Sequence, residues 1–184
     1  MATVDVTPQE FTLVGFDAAR IAVLAGDVAD RAGFGSATIE IDIDETTPLG
    51  RSRVESEDPI RLRIESGALE DPRYPRQMSD VAVTEVIGRH LLKLADRHDP
   101  AFGAPDEDSL DIAHEVAWEI YAVGRLERFG YRDQRQRWLY HFRNRCGFSN
   151  ATDAAFDAIW SGSDLTWAEI SALVDGAVAE SAAS

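Results

Sequence analysis

Two short stretches of the chain alternate strictly between apolar and charged residues, which is the pattern of a β-strand with one buried face. Residues 38–44 read TIEIDID and residues 60–65 read IRLRIE. The polar positions are acidic in the first stretch and basic in the second, so pairing of the two strands would place opposite charges side by side. We therefore expect neighbouring strands here, and a further short strand over 51–54. The expected buried face consists of Ile39, Ile41, Ile43, Ile60, Leu62 and Ile64.

Two helix signals precede these strands. Thr7, Pro8 and Glu10 fit a helix start, because a threonine cap is followed by proline at the first helical position and by glutamate three residues after the cap. Over residues 17–32 the apolar positions recur at helical spacing, and Gly33 stands where a helix commonly ends. The pattern predicts a helix before the sheet.

After residue 76 the apolar residues follow helical spacing throughout. The last predicted helix begins with a capping box formed by Thr166 and Glu169. The predicted helical segments are 79–97, 107–129, 133–145, 150–160 and 167–178.

These elements predict an α+β fold with an N-terminal helix, a small sheet of two or three strands and a helical C-terminal majority. The length of 184 residues favours one domain over 1–184. Within it, residues 1–75 hold the helix and the small sheet, and residues 76–180 hold the helical part.

Composition narrows the class of protein. The 33 acidic residues outnumber the 18 basic ones and give a formal net charge of −15, which disfavours nucleic acid as a partner. A single cysteine cannot form an internal disulfide, and the first thirty residues lack a basic start followed by an apolar stretch, so we expect a cytoplasmic protein. No apolar run approaches the ~18 residues of a membrane helix. Lys93 is the single lysine among the 18 basic residues, and the others are arginines. Because arginine codons are GC-rich and lysine codons are AT-rich, this preference indicates a GC-rich bacterial genome.

The basic residues are concentrated in one segment. Residues 123–145 contain seven arginines interleaved with aromatic residues, whereas residues 99–122 contain seven acids and no base. We regard Arg125, Arg132 and Arg137 as anion-binding candidates, since arginine beside aromatic rings binds anionic ligands. The alternative is internal neutralisation, in which Arg125, Arg128 or Arg132 meets a carboxylate from 106–119.

Helical spacing also predicts how the following helix is oriented. Trp138, Leu139 and Phe142 should face inward, and the opposite arc should face solvent. The residues expected on that outer arc are Arg137, Tyr140 and Asn144.

One segment contains the residue types of a zinc hydrolase. Residues 114–119 read HEVAWE, and His114 and Glu115 resemble the start of the H-E-x-x-H motif of zincin metallopeptidases, in which two histidines hold zinc and the glutamate activates water. Trp118 stands at the second ligand position.

The helix that follows the predicted strands carries a second resemblance. Residues 84–90 read TEVIGRH, and the order of elements resembles that of small bacterial zincin-like proteins, with Ile87, Gly88 and His90 matching. The resemblance implies a zincin-like fold with a degenerate metal motif. For a zinc site, the resemblance implies His114 and His90 as ligands and Glu115 as the base that activates water.

The sequence leaves two functional hypotheses. It contains no glycine-rich phosphate loop and no nucleophile elbow. The leading hypothesis is a non-catalytic interaction or scaffolding protein without a cofactor, which binds an unknown protein partner or self-associates. The alternative is a zincin-like metal-dependent hydrolase, with zinc as cofactor, or its catalytically degenerate relative.

Overall fold

The structure is a computed structural model that describes residues 1–132 and 134–183. The chain forms two compact units, Met1–Leu94 and a second unit that begins at Ala95, and each unit is described by itself. The expectation of a single domain over 1–184 stays a prediction.

The strands of the first unit are β1 (Thr3–Thr7), β2 (Thr38–Asp44), β3 (Ser52–Glu57), β4 (Ile60–Glu65), β5 (Glu70–Asp71) and β6 (Tyr74–Met78). The first four form a mixed sheet with the strand order β1-β2-β4-β3, so that β1 and β3 are its edges. β2 pairs in parallel with both β1 and β4, whereas β3 is antiparallel to β4. A separate two-stranded sheet, β5-β6, follows.

The register of β2 and β4 confirms the predicted strand pair. Ile41 lies opposite Leu62, and all six predicted Ile and Leu side chains are buried. On the other face, the guanidinium of Arg61 lies 2.6 Å from the carboxylate of Glu40, and Arg63 pairs with Asp42. Burial of the aliphatic face therefore holds this pair of strands together, and the exposed ion pairs add at most about 1 kcal/mol each.

The first element differs from the prediction. Residues 3–7 form β1 rather than leading into a helix at Thr7, and the first helix, α1 (Ala18–Arg31), is capped by the Asp17 carboxylate, which accepts from the Arg20 backbone N–H at 3.0 Å. The helix predicted over 17–32 is thus confirmed, while the start at Thr7 is wrong. Hydrogen bonding to β2 takes precedence here over a local capping pattern.

The helices account for most of the chain, as predicted, and the fold is α+β. After α1 they are α2 (Asp80–His98), α3 (Ile112–Arg128), α4 (Arg135–Cys146), α5 (Asn150–Ser161) and α6 (Trp167–Ala183). Short 3-10 turns cover Ser66–Ala68 and Glu107–Ser109. None of the helices in the described ranges has both the length and the apolar character that crossing a bilayer requires.

The second unit is built around one aromatic and aliphatic core. α3 packs against α4, α5 and α6, and the buried side chains include Trp118, Phe142 and Phe156. The predicted capping box is present, since Thr166 donates to the Glu169 carboxylate from both its backbone N–H, at 2.8 Å, and its hydroxyl, at 2.9 Å. α6 continues to Ala183, beyond the predicted end at residue 178.

The orientation of α4 is as predicted. Trp138 and Phe142 are buried, and Leu139 packs against the same core. Arg137, Tyr140 and Asn144 are exposed.

Candidate functional site

The second unit contains a cavity of about 330 Å³. Three segments form its wall: the end of α2 with the residues that follow it, the middle of α3, and the loop between α5 and α6. Its lining residues are Asp96, Asp99, Ala101, Phe102, Tyr121, Arg125, Ser163, Asp164, Leu165 and Thr166. The volume falls in the range of pockets that hold small ligands or single side chains.

A bidentate ion pair lies in the cavity wall. The two terminal nitrogens of Arg125 donate to the two carboxylate oxygens of Asp96 at 2.7 and 2.6 Å. The buried Trp118 indole N–H donates to the same carboxylate at 2.7 Å. The charge of Arg125 is therefore balanced within the chain, and Asp96 contributes no net charge to the cavity.

Aromatic rings form the apolar part of the wall. Phe102 is stacked on Tyr121 with ring centroids 6.0 Å apart, and the Arg125 guanidinium lies over the Tyr121 ring at 4.3 Å. The Tyr121 hydroxyl donates to the Ser163 carbonyl at 3.1 Å. Burial raises the pKa of Tyr121 above its usual value, so the ring stays neutral at physiological pH.

Two further carboxylates give the cavity its charge. Asp99 accepts from the Ala101 backbone N–H at 2.9 Å, and Asp164 accepts from the Ser163 hydroxyl at 2.9 Å. Both residues are exposed, and Arg125 is the one cation among the described lining residues. Carboxylates thus outnumber the single cation among the described lining residues, and this charge balance favours a cationic group.

The candidate zinc residues of the second unit contact groups other than a shared metal position. Nδ1 of His114 lies 2.9 Å from the Asp111 carboxylate, and Nε2 lies 3.5 Å from that of Asp175. Glu115 is exposed, and Trp118 is buried and bonded to Asp96. Both ring nitrogens of His114 thus face carboxylates.

His90 belongs to the first unit, where it contacts a hydroxyl group. Its Nε2 lies 2.8 Å from the Ser52 hydroxyl, to which Arg89 also donates at 3.3 Å. Within residues 1–132 and 134–183, no three His, Cys, Asp or Glu side chains are grouped so that they could hold a metal ion. The donor set of the described residues therefore does not fit zinc.

The arginine-rich segment divides into two groups. Arg125 pairs with Asp96, which lies outside the segment 106–119 that we expected to supply its carboxylate. Arg128 donates to the backbone carbonyls of Trp160 and Gly162 at 2.7 and 2.5 Å. Arg132 and Arg137 are exposed. Of the three anion-binding candidates, Arg125 is thus held internally and the other two face solvent.

Of the cavity's lining residues, the sequence singles out Arg125 but not its three acids or Phe102. Asp96, Asp99 and Asp164 are ordinary acids in an acidic chain, and Phe102 lies two residues after Pro100 in a short connection. Nothing in the spacing of α2 marks Asp96 as buried, and only its burial in the structure shows that its carboxylate requires a partner.

No family model, no curated protein and no solved structure matches this chain.

Proposed function

We propose that the protein is a non-catalytic, cytoplasmic interaction protein that binds a basic polypeptide by admitting a cationic side chain into the cavity of its second unit. One observation carries the proposal: Asp99 and Asp164 stand beside the aromatic wall of Phe102 and Tyr121, while Arg125 is already neutralised by Asp96. An entering guanidinium would meet the carboxylates of Asp99 and Asp164 beside these two rings.

The charge of the whole chain supports the same partner. A net charge of −15 attracts basic partners over distances longer than a single contact and raises their rate of association. It also repels nucleic acid and other polyanions. The local charge of the cavity and the overall charge therefore favour the same class of ligand.

No observation in the described residues favours the alternative of a zincin-like hydrolase, because His114 and Glu115 are not joined by further ligands. The interaction hypothesis also agrees with the chemistry of the cavity, in which the hydrogen-bonding capacity of Asp96 and Tyr121 is used internally. The cavity is suited to binding rather than to proton transfer.

The test uses a probe that isolates one side chain. Acetyl-Gly-Arg-Gly-amide is titrated into the protein by calorimetry, alongside the citrulline analogue, which keeps the shape and removes the charge. We expect the arginine peptide to bind and the citrulline peptide to bind at least about tenfold more weakly. Equal binding of the two peptides would contradict the proposal.

A pair of variants locates the binding. Asp99→Asn with Asp164→Asn keeps an acceptor oxygen for the Ala101 and Ser163 contacts but removes two charges from the cavity. Glu10→Gln with Asp58→Asn removes the same charge from exposed positions of the first unit. The first pair should abolish measurable binding, and the second should leave it within about twofold. Equal losses in both pairs would show that only the overall charge matters.

A further inference from the structure

The outer face of α4 and the residues after it differ from the rest of this acidic chain. Tyr140 and Phe148 are 60% and 67% exposed, and their rings meet edge to face with centroids 6.2 Å apart. Arg137, Arg145 and His141 are also exposed along this stretch. We call these five residues the α4 face. Exposed aromatic residues surrounded by arginine are typical of the core of a protein interface.

The cations of the α4 face are not neutralised by the described residues. Arg135 and Arg143, on the same helix, pair with Asp157 and Asp153. By contrast, no carboxylate in residues 1–132 or 134–183 forms an ion pair with Arg137 or Arg145. The helix thus has its internal ion pairs on one side and available charge on the other.

The start of α3 carries the complementary chemistry. Asp108, Asp111 and Glu115 are exposed there, and Ile112 between them is 55% exposed. We call these four residues the α3 patch. It combines carboxylates with one aliphatic side chain, as the α4 face combines cations with aromatic rings.

The two surfaces are neighbours in one unit. α3 packs against α4, and the charge of Asp111 helps to raise the pKa of Cys146 at the end of α4. A surface that holds an acidic half beside a basic half is complementary to itself after a two-fold rotation. Such a rotation would place each α4 face on the α3 patch of a second copy.

We infer that the α4 face binds the α3 patch of a second copy of this chain, forming a two-fold dimer with two equivalent sets of contacts. In each set, Arg137 and Arg145 meet Asp108 and Glu115, and Ile112 packs against the aromatic pair of the α4 face. The inference does not depend on the cavity and stands on different residues.

Charge reversal tests the dimer by sedimentation equilibrium. Arg137→Glu with Arg145→Glu leaves both surfaces acidic, and Asp108→Arg with Glu115→Arg leaves both basic. Each variant alone should dimerise at least about tenfold more weakly than the natural chain. Arg51→Glu, an exposed change in the first unit, is the control and should dimerise as the natural chain does.

Mixing the two charge-reversed variants gives the decisive result. In one contact, the acidic α4 face of the first variant meets the basic α3 patch of the second. In the other contact, the natural basic α4 face of the second variant meets the natural acidic α3 patch of the first. A one-to-one heterodimer should therefore form, with its affinity restored. A natural chain that stays monomeric at every concentration, or variants that do not associate on mixing, would overturn the inference. Circular dichroism of each variant alone confirms that it is folded.

Discussion

Asp96 and Arg125, which are 29 residues apart in the sequence, form a bidentate ion pair in the wall of the second unit's cavity. Asp96 is 4% exposed, and the Arg125 side chain is 15% exposed. The pair fixes the end of α2 against α3 and removes the charge of Arg125 from the cavity. The cationic preference that we propose depends on this neutralisation.

Removing one partner of this pair should destabilise the protein. Asp96→Ala leaves the Arg125 guanidinium and the Trp118 indole N–H without their shared acceptor, and we expect a loss of about 3–5 kcal/mol in the free energy of unfolding. Urea denaturation of this variant and of the natural chain measures the loss in unfolding free energy. Asp157→Ala breaks the exposed pair with Arg135 and should cost at most about 1 kcal/mol. Similar losses in the two variants would show that the Asp96 pair is not buried as described.

Two glycines in helices should respond in opposite directions to alanine. A Cβ at Gly124 of α3 would lie 2.2 Å from the backbone carbonyl oxygen of Trp160 on α5, which cannot move aside like a flexible side chain. We expect Gly124→Ala to destabilise the protein by about 1–3 kcal/mol. Around Gly176 of α6 nothing lies within 4 Å, so Gly176→Ala should stabilise by about 0.5–1 kcal/mol. Thermal unfolding of both variants measures the contrast, and stabilisation by Gly124→Ala would refute the close approach of α3 and α5.

Cys146 should make stability fall at alkaline pH. Burial raises the pKa of its thiol from 9.0 to about 11. The unfolded chain therefore ionises this group first, so its contribution to folding is complete below about pH 9 and is lost as the pH rises to about 11. The difference in unfolding free energy between the natural chain and Cys146→Ala, measured over this range, should shrink as the pH rises. A difference that stays constant would show that the thiol is not desolvated.

Nucleic acid should not bind. The overall charge of −15 opposes a polyanion even though Arg132, Arg137 and Arg145 are exposed. Fluorescence anisotropy with single-stranded DNA at about 50 mM salt, where phosphate attraction is strong, should show no change. Micromolar binding that weakens steeply with added salt and disappears in Arg137→Glu would establish the opposite.

The pairing of β2 with β4 could be predicted because its signal lies within each strand. The alternation in 38–44 and 60–65 determines which side chains are buried, and the opposite charges of Glu40 and Arg61 indicate which strands are neighbours. β1 was missed because a five-residue strand is stabilised by pairing with β2, more than thirty residues away, while Thr7 and Pro8 form a local helix-start pattern.

The cavity could not be predicted for a related reason. Its wall combines Asp99, Tyr121 and Asp164 from three separate segments, and nothing in the spacing of these residues indicates that they meet. The HEVAWE segment, in contrast, has a recognisable spacing, but among the described residues no group of three metal-ligating side chains forms around His114. Spacing within one helix predicts which side chains share a face, and only tertiary packing decides whether a second element supplies the remaining groups.

The measurement that tests the central proposal most directly is an intermolecular nuclear Overhauser experiment with acetyl-Gly-Arg-Gly-amide. If the cavity admits the guanidinium, protons of the arginine side chain should give cross-peaks to the ring protons of Phe102 and Tyr121, and these cross-peaks should vanish in the variant with Asp99→Asn and Asp164→Asn. Binding without any contact to these two rings, or cross-peaks that persist in that variant, would contradict the account.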